Sequence, residues 1–380
     1  MTESVTTQAT APMTAKSASP PTLGRRRWLR LTSLGLMGGG AAVALRRWSP
    51  SLHTFSPTDL PEVMPDLSTL PERLEKALNA ATAPISDAVA EPLHSYTALT
   101  VDEFGHNLYQ AQICTPSYQD LWLAATPGPI ALPLVDIRGG QFLQGAPESE
   151  PGYDSSQQPQ TIATVESFWM GVYPVTQRQW RAVALLPSVN RALAPNPAYF
   201  EGDDRPVEQI SWLEAVEFCD RLNQFVAAHH PQLADYRFRL PTETEWEYAC
   251  RAHTTTPFHT GHTLTTALAN YDGTQPFRQE AAGQFRGTTT PVGSFSQANT
   301  FGLYDMHGNV QEWCASGQEE APATTNASTA NAQTSDLWLI VRGGSWQSPP
   351  QHCRSAYRTS VNAETRSNQV GFRVIAVKQS

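Results

Sequence analysis

The chain has 380 residues, of which 26 are basic and 35 acidic, and its formal net charge is -9. This balance argues against nonspecific nucleic-acid binding, which needs a basic surface to neutralise phosphates. With 40% hydrophobic residues, the chain can form one large domain or two small ones. Its five cysteines leave at least one unpaired and lack the spacing of a zinc site; they are Cys114, Cys219, Cys250, Cys314 and Cys353.

The N-terminal segment, residues 1–45, has the pattern of a targeting signal. Residues 1–24 are rich in Thr, Ser, Ala and Pro, which predicts disorder. Residues 25–30 (RRRWLR) precede an apolar run to residue 45, and this pattern resembles a twin-arginine export signal. The run is shorter than the roughly 20 residues that a membrane-spanning helix needs. We therefore expect an exported, periplasmic protein; an uncleaved anchor facing the periplasm, or a chance basic-apolar stretch, is the alternative.

Residues 46–93 contain many Pro and Ala residues and predict a linker. Residues 96–101 and 108–113 are strand-like and flank a turn that contains Gly105, which predicts a β-hairpin. An isolated two-stranded hairpin is only marginally stable in water. We therefore expect residues 94–127 to pack on the main domain as an entry hairpin.

The main domain, residues 128–380, has three clear helix starts. Thr176, Ser211 and Thr242 are good N-cap residues, and Ser211 forms a capping box with Glu214 three residues later. Residues 315–336 are rich in Ala, Thr, Asn and Ser and predict a mobile insertion. Short helices, long loops and short irregular strands together predict an α+β fold with low regular secondary structure.

The C-terminal segments 341–346 (VRGGSW), 353–358 (CRSAYR) and 371–374 (GFRV) predict two or three short strands. The glycine pair in the first segment marks a place where another backbone comes close. Alternation would place Cys353, Ser355 and Tyr357 on one face of a strand. The segments are rich in arginine, and each buried arginine needs a carboxylate partner. The arginines are Arg354, Arg358, Arg366 and Arg373; the candidate acids are Glu243, Glu245, Glu247 and Glu312. An exposed basic edge is the alternative.

These segments, together with residues 240–251 (LPTETEWEYACR) and 302–313 (GLYDMHGNVQEW), resemble the sulfatase-modifying-factor family, which contains the formylglycine-generating enzymes. The resemblance covers about two thirds of the chain and implies the C-type-lectin-like fold. It also implies structural calcium at Asp305, Gly308, Val310 and Glu312. The alternative is that Asp305 caps a turn and Glu312 pairs with an arginine.

The resemblance further implies a disulfide between Cys250 and Cys353, with two separate buried thiols as the alternative. Enzymes of the family bind Cu(I) through two cysteine thiolates that follow the Gly-Gly-Ser turn. Here the corresponding residues 347–352 (QSPPQH) contain no cysteine, and Ser348 lies near the first position. Copper-dependent formylglycine chemistry is therefore not expected, and copper is not expected as a cofactor.

Two functions stay open. The first is an enzyme of the superfamily that oxidises or modifies an exported protein or peptide by another route. The second is a noncatalytic module that binds a protein or other ligand. In both, the candidate ligand-binding face consists of Trp346, Ser348, His352 and Tyr357, and ordinary packing of these four residues is the alternative.

Overall fold

The computed structural model describes residues 94–115, 118–123, 129–157, 160–315 and 337–379. The expected export signal, the linker and nearly all of the expected insertion at 315–336 lie outside the described residues. Within the described ranges, no helix is long and apolar enough to cross a membrane.

Three α-helices and thirteen short strands form the regular structure of the described part of the chain. The helices are α1 (Gln177–Ala184), α2 (Trp212–His229) and α3 (Glu243–Arg251). The strands are β1 (His94–Val101), β2 (Asn107–Thr115), β3 (Tyr118–Leu123), β4 (Ile130–Ile137), β5 (Gly140–Gln144), β6 (Thr161–Val165), β7 (Phe168–Gly171), β8 (Tyr236–Arg239), β9 (Gln311–Trp313), β10 (Trp338–Arg342), β11 (Arg358–Asn362), β12 (Val370–Gly371) and β13 (Ile375–Lys378).

Two larger sheets carry the fold. One has five strands in the order β3-β4-β7-β13-β8, so the C-terminal strand lies in its interior. The other has the order β11-β10-β9-β12, in which β12 runs parallel to β9. The pairs β1-β2 and β5-β6 form small separate sheets. The fold is α+β and C-type-lectin-like, with long loops between short elements, as the sequence predicts.

The β1-β2 hairpin turns at Asp102–His106, where Gly105 has a φ of +82°. The strand after it, β3, pairs antiparallel with β4 and therefore belongs to the five-stranded sheet. Of the expected entry hairpin, residues 118–123 therefore belong to the main sheet.

All three helices begin with the capping residues that the sequence indicates. The side chains of Thr176, Ser211 and Thr242 accept hydrogen bonds from the third backbone amide of their helices. In each case the Gln or Glu side chain at that third position accepts from the N-cap amide. These reciprocal bonds satisfy amides that the helix itself cannot pair. The predicted caps are confirmed.

The two largest clusters of buried side chains lie on α1–α2 and around α3. In the first, Trp180 of α1 stacks on Phe218 of α2 at 5.6 Å, and Phe372 packs edge-on against both rings. In the second, Trp246 of α3 is fully buried beside Met170 and Ile375 of the five-stranded sheet. The C-terminal segment therefore joins the two clusters, because Phe372 packs in the first and Ile375 in the second.

The expected strand over residues 353–358 is wrong. Pro350–Cys353 form a turn of 3-10 helix, and β11 begins only at Arg358. Residues 353–356 are all buried, without the alternation of a half-exposed strand. The reason is that the guanidinium group of Arg354 forms an ion pair with Glu150 beneath the loop 150–157. This side chain is therefore buried like those on either side of it.

Candidate functional site

Arginines, most of them buried, hold the C-terminal segments in place through ion pairs. Arg373 pairs with Glu312 at 2.9 Å, and Arg342 pairs with Glu247 at 2.5 Å. The other pairs in this framework are Arg354–Glu150, Arg358–Glu243, Arg366–Glu214 and Arg251–Glu247. The need for carboxylate partners is confirmed, and Glu243 and Glu312 serve as expected. Glu247 pairs with Arg342 and Arg251, which are not among the four expected arginines. Arg354 and Arg366 use Glu150 and Glu214, which are not among the candidate acids. Glu245 instead pairs with Arg239 of β8.

The glycine pair shapes the turn after β10. Gly343 and Gly344 have φ values of +89° and +71°, which favour glycine. A Cβ atom on Gly344 would lie 2.8 Å from the His352 carbonyl oxygen and 2.5 Å from the Cys353 sulfur. The close backbone approach that the sequence predicts is confirmed. It holds residues 350–353 against the turn.

The structure splits the four residues of the expected ligand face into two groups. Trp346 is buried; its indole N–H donates to the Asn368 carbonyl at 2.9 Å, and its ring packs against Phe200 and Phe285. Ser348 is also buried, and its hydroxyl accepts from the Ser345 amide at 2.9 Å. These contacts of Trp346 and Ser348 are those of ordinary packing.

His352 and Tyr357 lie on a separate surface. Their rings stack with centroids 4.4 Å apart and an interplanar angle of 14°. They line an open cleft of about 580 Å³, here called the His352 cleft. Its walls are residues 152–154 and 156, Ile340, Gln351, His352 and residues 357–360. Partial burial and the nearby Arg354 charge lower the pKa of His352, so its imidazole is neutral at pH 7.

The charged groups of the cleft are mostly paired. Arg358 binds Glu243 and donates to the Ser156 carbonyl oxygen at 3.2 Å. The carboxylate of Asp154 accepts from the Ser156 amide at 2.8 Å, and hydrogen bonds from Ser156 lower its pKa. The cleft therefore offers polar walls and a stacked ring pair to a ligand.

The Cys250–Cys353 disulfide expected from the resemblance is not formed. None of the four cysteines whose side chains the structure describes forms a disulfide, and all are buried; they are Cys219, Cys250, Cys314 and Cys353. Cys250 packs in the cluster around Trp246, whereas Cys353 packs with Phe258 and Tyr271 in another. His307 contacts both residues: its ring nitrogens lie about 4 Å from the Cys250 sulfur, and Nδ1 lies 2.7 Å from the Cys353 carbonyl oxygen. The structure thus has the alternative of two separate buried thiols.

These thiols are poor candidates for copper ligands. Copper(I) binds the thiolate form, but burial raises the pKa of Cys250 to about 12 and also raises that of Cys353 and Cys314. The turn residue at the expected ligand position is Ser348, whose hydroxyl bonds to Ser345. Within the described residues, no three His, Cys, Asp or Glu side chains form a cluster that could hold a metal ion.

The expected calcium residues are close together, but one carboxylate is already occupied. Glu312 accepts hydrogen bonds from three N–H groups: Nε and Nη2 of Arg373, and the Trp246 indole at 2.7 Å. A carboxylate has about four acceptor sites, so at most one is left for an ion. Asp305 accepts from the Gly293 amide at 2.6 Å, and burial raises its pKa to about 6. Calcium at Asp305, Gly308, Val310 and Glu312 would require Glu312 to leave part of this network, so the four residues do not fit the ion in the present arrangement.

Glu208 is a buried carboxylate that sequence reasoning missed. It is fully buried; Oε1 accepts from the Phe200 amide at 2.7 Å, while Oε2 has no hydrogen-bond partner in the part of the chain that the structure describes. Burial raises its pKa to about 6. The only sequence signal is an acid four residues before the start of α2 at Trp212, which is too general to identify it.

Comparisons of the sequence with known proteins identify its family. The sulfatase-modifying factor enzyme 1-like domain matches residues 131–378. The chaperone protein LppX of Paenibacillus barcinonensis is 27% identical over 282 residues, covering 64% of this chain and 89% of that protein. The formylglycine-generating enzyme of Mycobacterium tuberculosis is 29% identical over 296 residues, covering 64% and 97%. The inactive C-alpha-formylglycine-generating enzyme 2 of Mus musculus is 25% identical over 309 residues, covering 67% and 90%. This chain belongs to the sulfatase-modifying-factor family, to which the formylglycine-generating enzymes also belong.

Proposed function

We propose that this protein binds a protein or peptide ligand in the His352 cleft and does not make formylglycine through copper and cysteine. The observation that carries the proposal is the contrast between two sites. At the Gly-Gly-Ser turn, Trp346 and Ser348 are buried in packing contacts and no thiolate pair is supplied. At the cleft, His352 and Tyr357 form an accessible wall between loop 152–156 and β11.

The names of the relatives support the proposal in two ways. One relative carries the name of a chaperone, a protein class that binds other proteins, and another is named as inactive. Members of this family thus bear names other than that of an active formylglycine-generating enzyme. A ligand-binding role on the same fold agrees with the loss of the cysteine pair here.

The binding proposal is tested with a random dodecapeptide library displayed on phage and selected on the full chain. We expect Tyr357→Ala to weaken the recovered peptide at least tenfold, because the variant removes the ring that stacks on His352. Tyr199→Ala is the matched control, since Tyr199 is an exposed tyrosine outside the cleft. Equal affinity for all three proteins, or failure to recover any peptide, would refute a peptide-binding cleft.

A second function, modification of an exported peptide by a route without copper thiolates, is favoured by one observation. The neutral imidazole of His352 faces the cleft and is able to accept a proton. If the protein is an enzyme of this kind, the recovered peptide changes mass on incubation with the wild-type chain and not with His352→Gln. Unchanged peptide mass with the wild-type chain leaves binding as the function.

Export belongs to the proposal, and calcium is tested as an alternative that the hydrogen bonds of Glu312 disfavour. Export rests on residues 25–45, and fractionation followed by N-terminal sequencing decides between a cleaved periplasmic form and an anchored form. Calcium rests on the family resemblance, and thermal melting in calcium or in a chelator tests it. A melting temperature several degrees higher in calcium would show that Glu312 rearranges to bind the ion. The hydrogen bonds of Glu312 in the structure predict no shift.

A further inference from the structure

β11 is the terminal strand of its sheet and borders the His352 cleft. Among the strands that the structure describes, the order β11-β10-β9-β12 leaves one side of β11 without a neighbour. Among the described residues, no backbone hydrogen bond beyond the ladder with β10 reaches residues 358–361. An edge of this kind presents unpaired N–H and C=O groups in the direction of the missing strand.

The cleft borders this edge and also covers part of one face of the sheet. Side chains of successive strand residues point to opposite faces. Arg358, Thr359 and Ser360 all line the cleft, together with Ile340, the partner of Ser360 on β10. Thr359 reaches the cleft either with its side chain from the opposite face or with its main chain. In both cases the cleft borders the backbone of β11.

The edge lacks the features that normally block strand addition. Its register with β10 runs without a bulge from Arg358 to Asn362, and β11 contains no proline. The one charged side chain, Arg358, is held by Glu243 and the Ser156 carbonyl. Thr359 and Ser360 are small, so a second backbone has room to approach.

We propose, on the basis of the proposed peptide-binding function, that the ligand is an extended polypeptide segment that adds to β11 as a further strand. Main-chain hydrogen bonds to β11 supply affinity, and the His352–Tyr357 stack contacts one ligand side chain. The five residues of β11 span roughly 17 Å, which fits a ligand segment of about four or five residues. A ligand that is folded into a helix or carries no backbone amides does not fit this mode.

The test uses the peptide recovered from the dodecapeptide library and a series of its variants, each methylated at one backbone nitrogen. Strand pairing requires every second ligand amide to donate to β11, while the others point away. We expect affinity for the full chain to fall about five- to tenfold at alternate positions and to stay within twofold at the positions between them. The proposal is supported if the loss of affinity alternates from one ligand residue to the next over at least four residues.

Two variants of the protein provide an independent measurement. The amides of Thr359 and Ser360 point in opposite directions, one to β10 and one into the cleft. We expect one of Thr359→Pro and Ser360→Pro to keep its melting temperature and lose peptide binding. The other should lower the melting temperature because it removes a ladder hydrogen bond.

The possible results separate this inference from the proposed function. A peptide that depends on Tyr357 but shows no alternation in the methylation series overturns strand addition and leaves the binding cleft in place. Recovery of no Tyr357-dependent peptide overturns both.

Discussion

Arg373 is a single residue on which several loops of the site depend. Its guanidinium group binds Glu312 and also donates to the carbonyl oxygens of Gly171, Val172 and Tyr304 at 2.8–3.0 Å. Arg373 and Glu312 are both almost completely buried. Replacing a buried ion pair as a whole is often tolerated, but removing one partner leaves an uncompensated charge.

Arg373→Met therefore tests the framework. We expect the variant to lower the free energy of unfolding by about 3–5 kcal/mol, because the buried Glu312 carboxylate loses its cation. The control is Arg366→Met, since the Arg366 side chain is 53% exposed in its pair with Glu214; that change should cost about 1 kcal/mol or less. Urea unfolding measures both. An equal loss of unfolding free energy in the two variants would mean that burial of the ion pair does not determine its contribution to stability.

Glu208 predicts a dependence of stability on pH. Its folded pKa of about 6 lies above the ordinary value of 4.5, so the folded state takes up the proton first as the pH falls. The charged group costs stability above pH 6, and this cost disappears as the pH falls to 4.5. We expect Glu208→Gln to raise the free energy of unfolding by about 1–2 kcal/mol at pH 7.5.

The same variant should show no gain at pH 4, where Glu208 is protonated in both folded and unfolded states. Chemical unfolding at the two pH values provides the comparison within one pair of proteins. An equal gain in unfolding free energy at pH 4 and pH 7.5 would show that the effect of Glu208→Gln does not come from removing the carboxylate charge.

At the scale of elements, the helices were predictable and the segment around Cys353 was not. Thr176, Ser211 and Thr242 identify helix starts because a cap acts on its own first turn. The 3-10 turn Pro350–Cys353 depends on residues distant in sequence. Glu150 forms a buried ion pair with Arg354, and Gly344, which has no Cβ atom, lets Cys353 pack against the turn after β10. The alternation of residue types within the segment 353–358 contains no information about these distant contacts.

The same contacts decide the state of the cysteines. Cys250 and Cys353 should stay free, because each is buried in a different cluster and burial raises both thiol pKa values. Iodoacetamide should label neither residue in the native protein and both after denaturation, as read by peptide mass spectrometry. A linked Cys250–Cys353 peptide in a non-reducing digest would contradict the structure.

At the scale of the whole molecule, the sequence motifs predict the family and the fold, because they encode the framework of capped helices and buried ion pairs. They do not predict the cleft. His352 and Tyr357 meet loop 152–156 only after the chain has folded, and Trp346 and Ser348 turn away from them into packing contacts. The family framework is kept here, while the cysteine pair of its oxidases is missing.

Incubation of the purified full chain with copper(I), oxygen, a reductant and a cysteine-containing sulfatase peptide tests this claim most directly. Mass spectrometry detects the aldehyde product, and a formylglycine-generating enzyme serves as the positive control. The account predicts that the peptide cysteine remains unchanged, because residues 347–352 supply no thiolate and the buried thiols stay protonated. Aldehyde formation at the level of the control would contradict it.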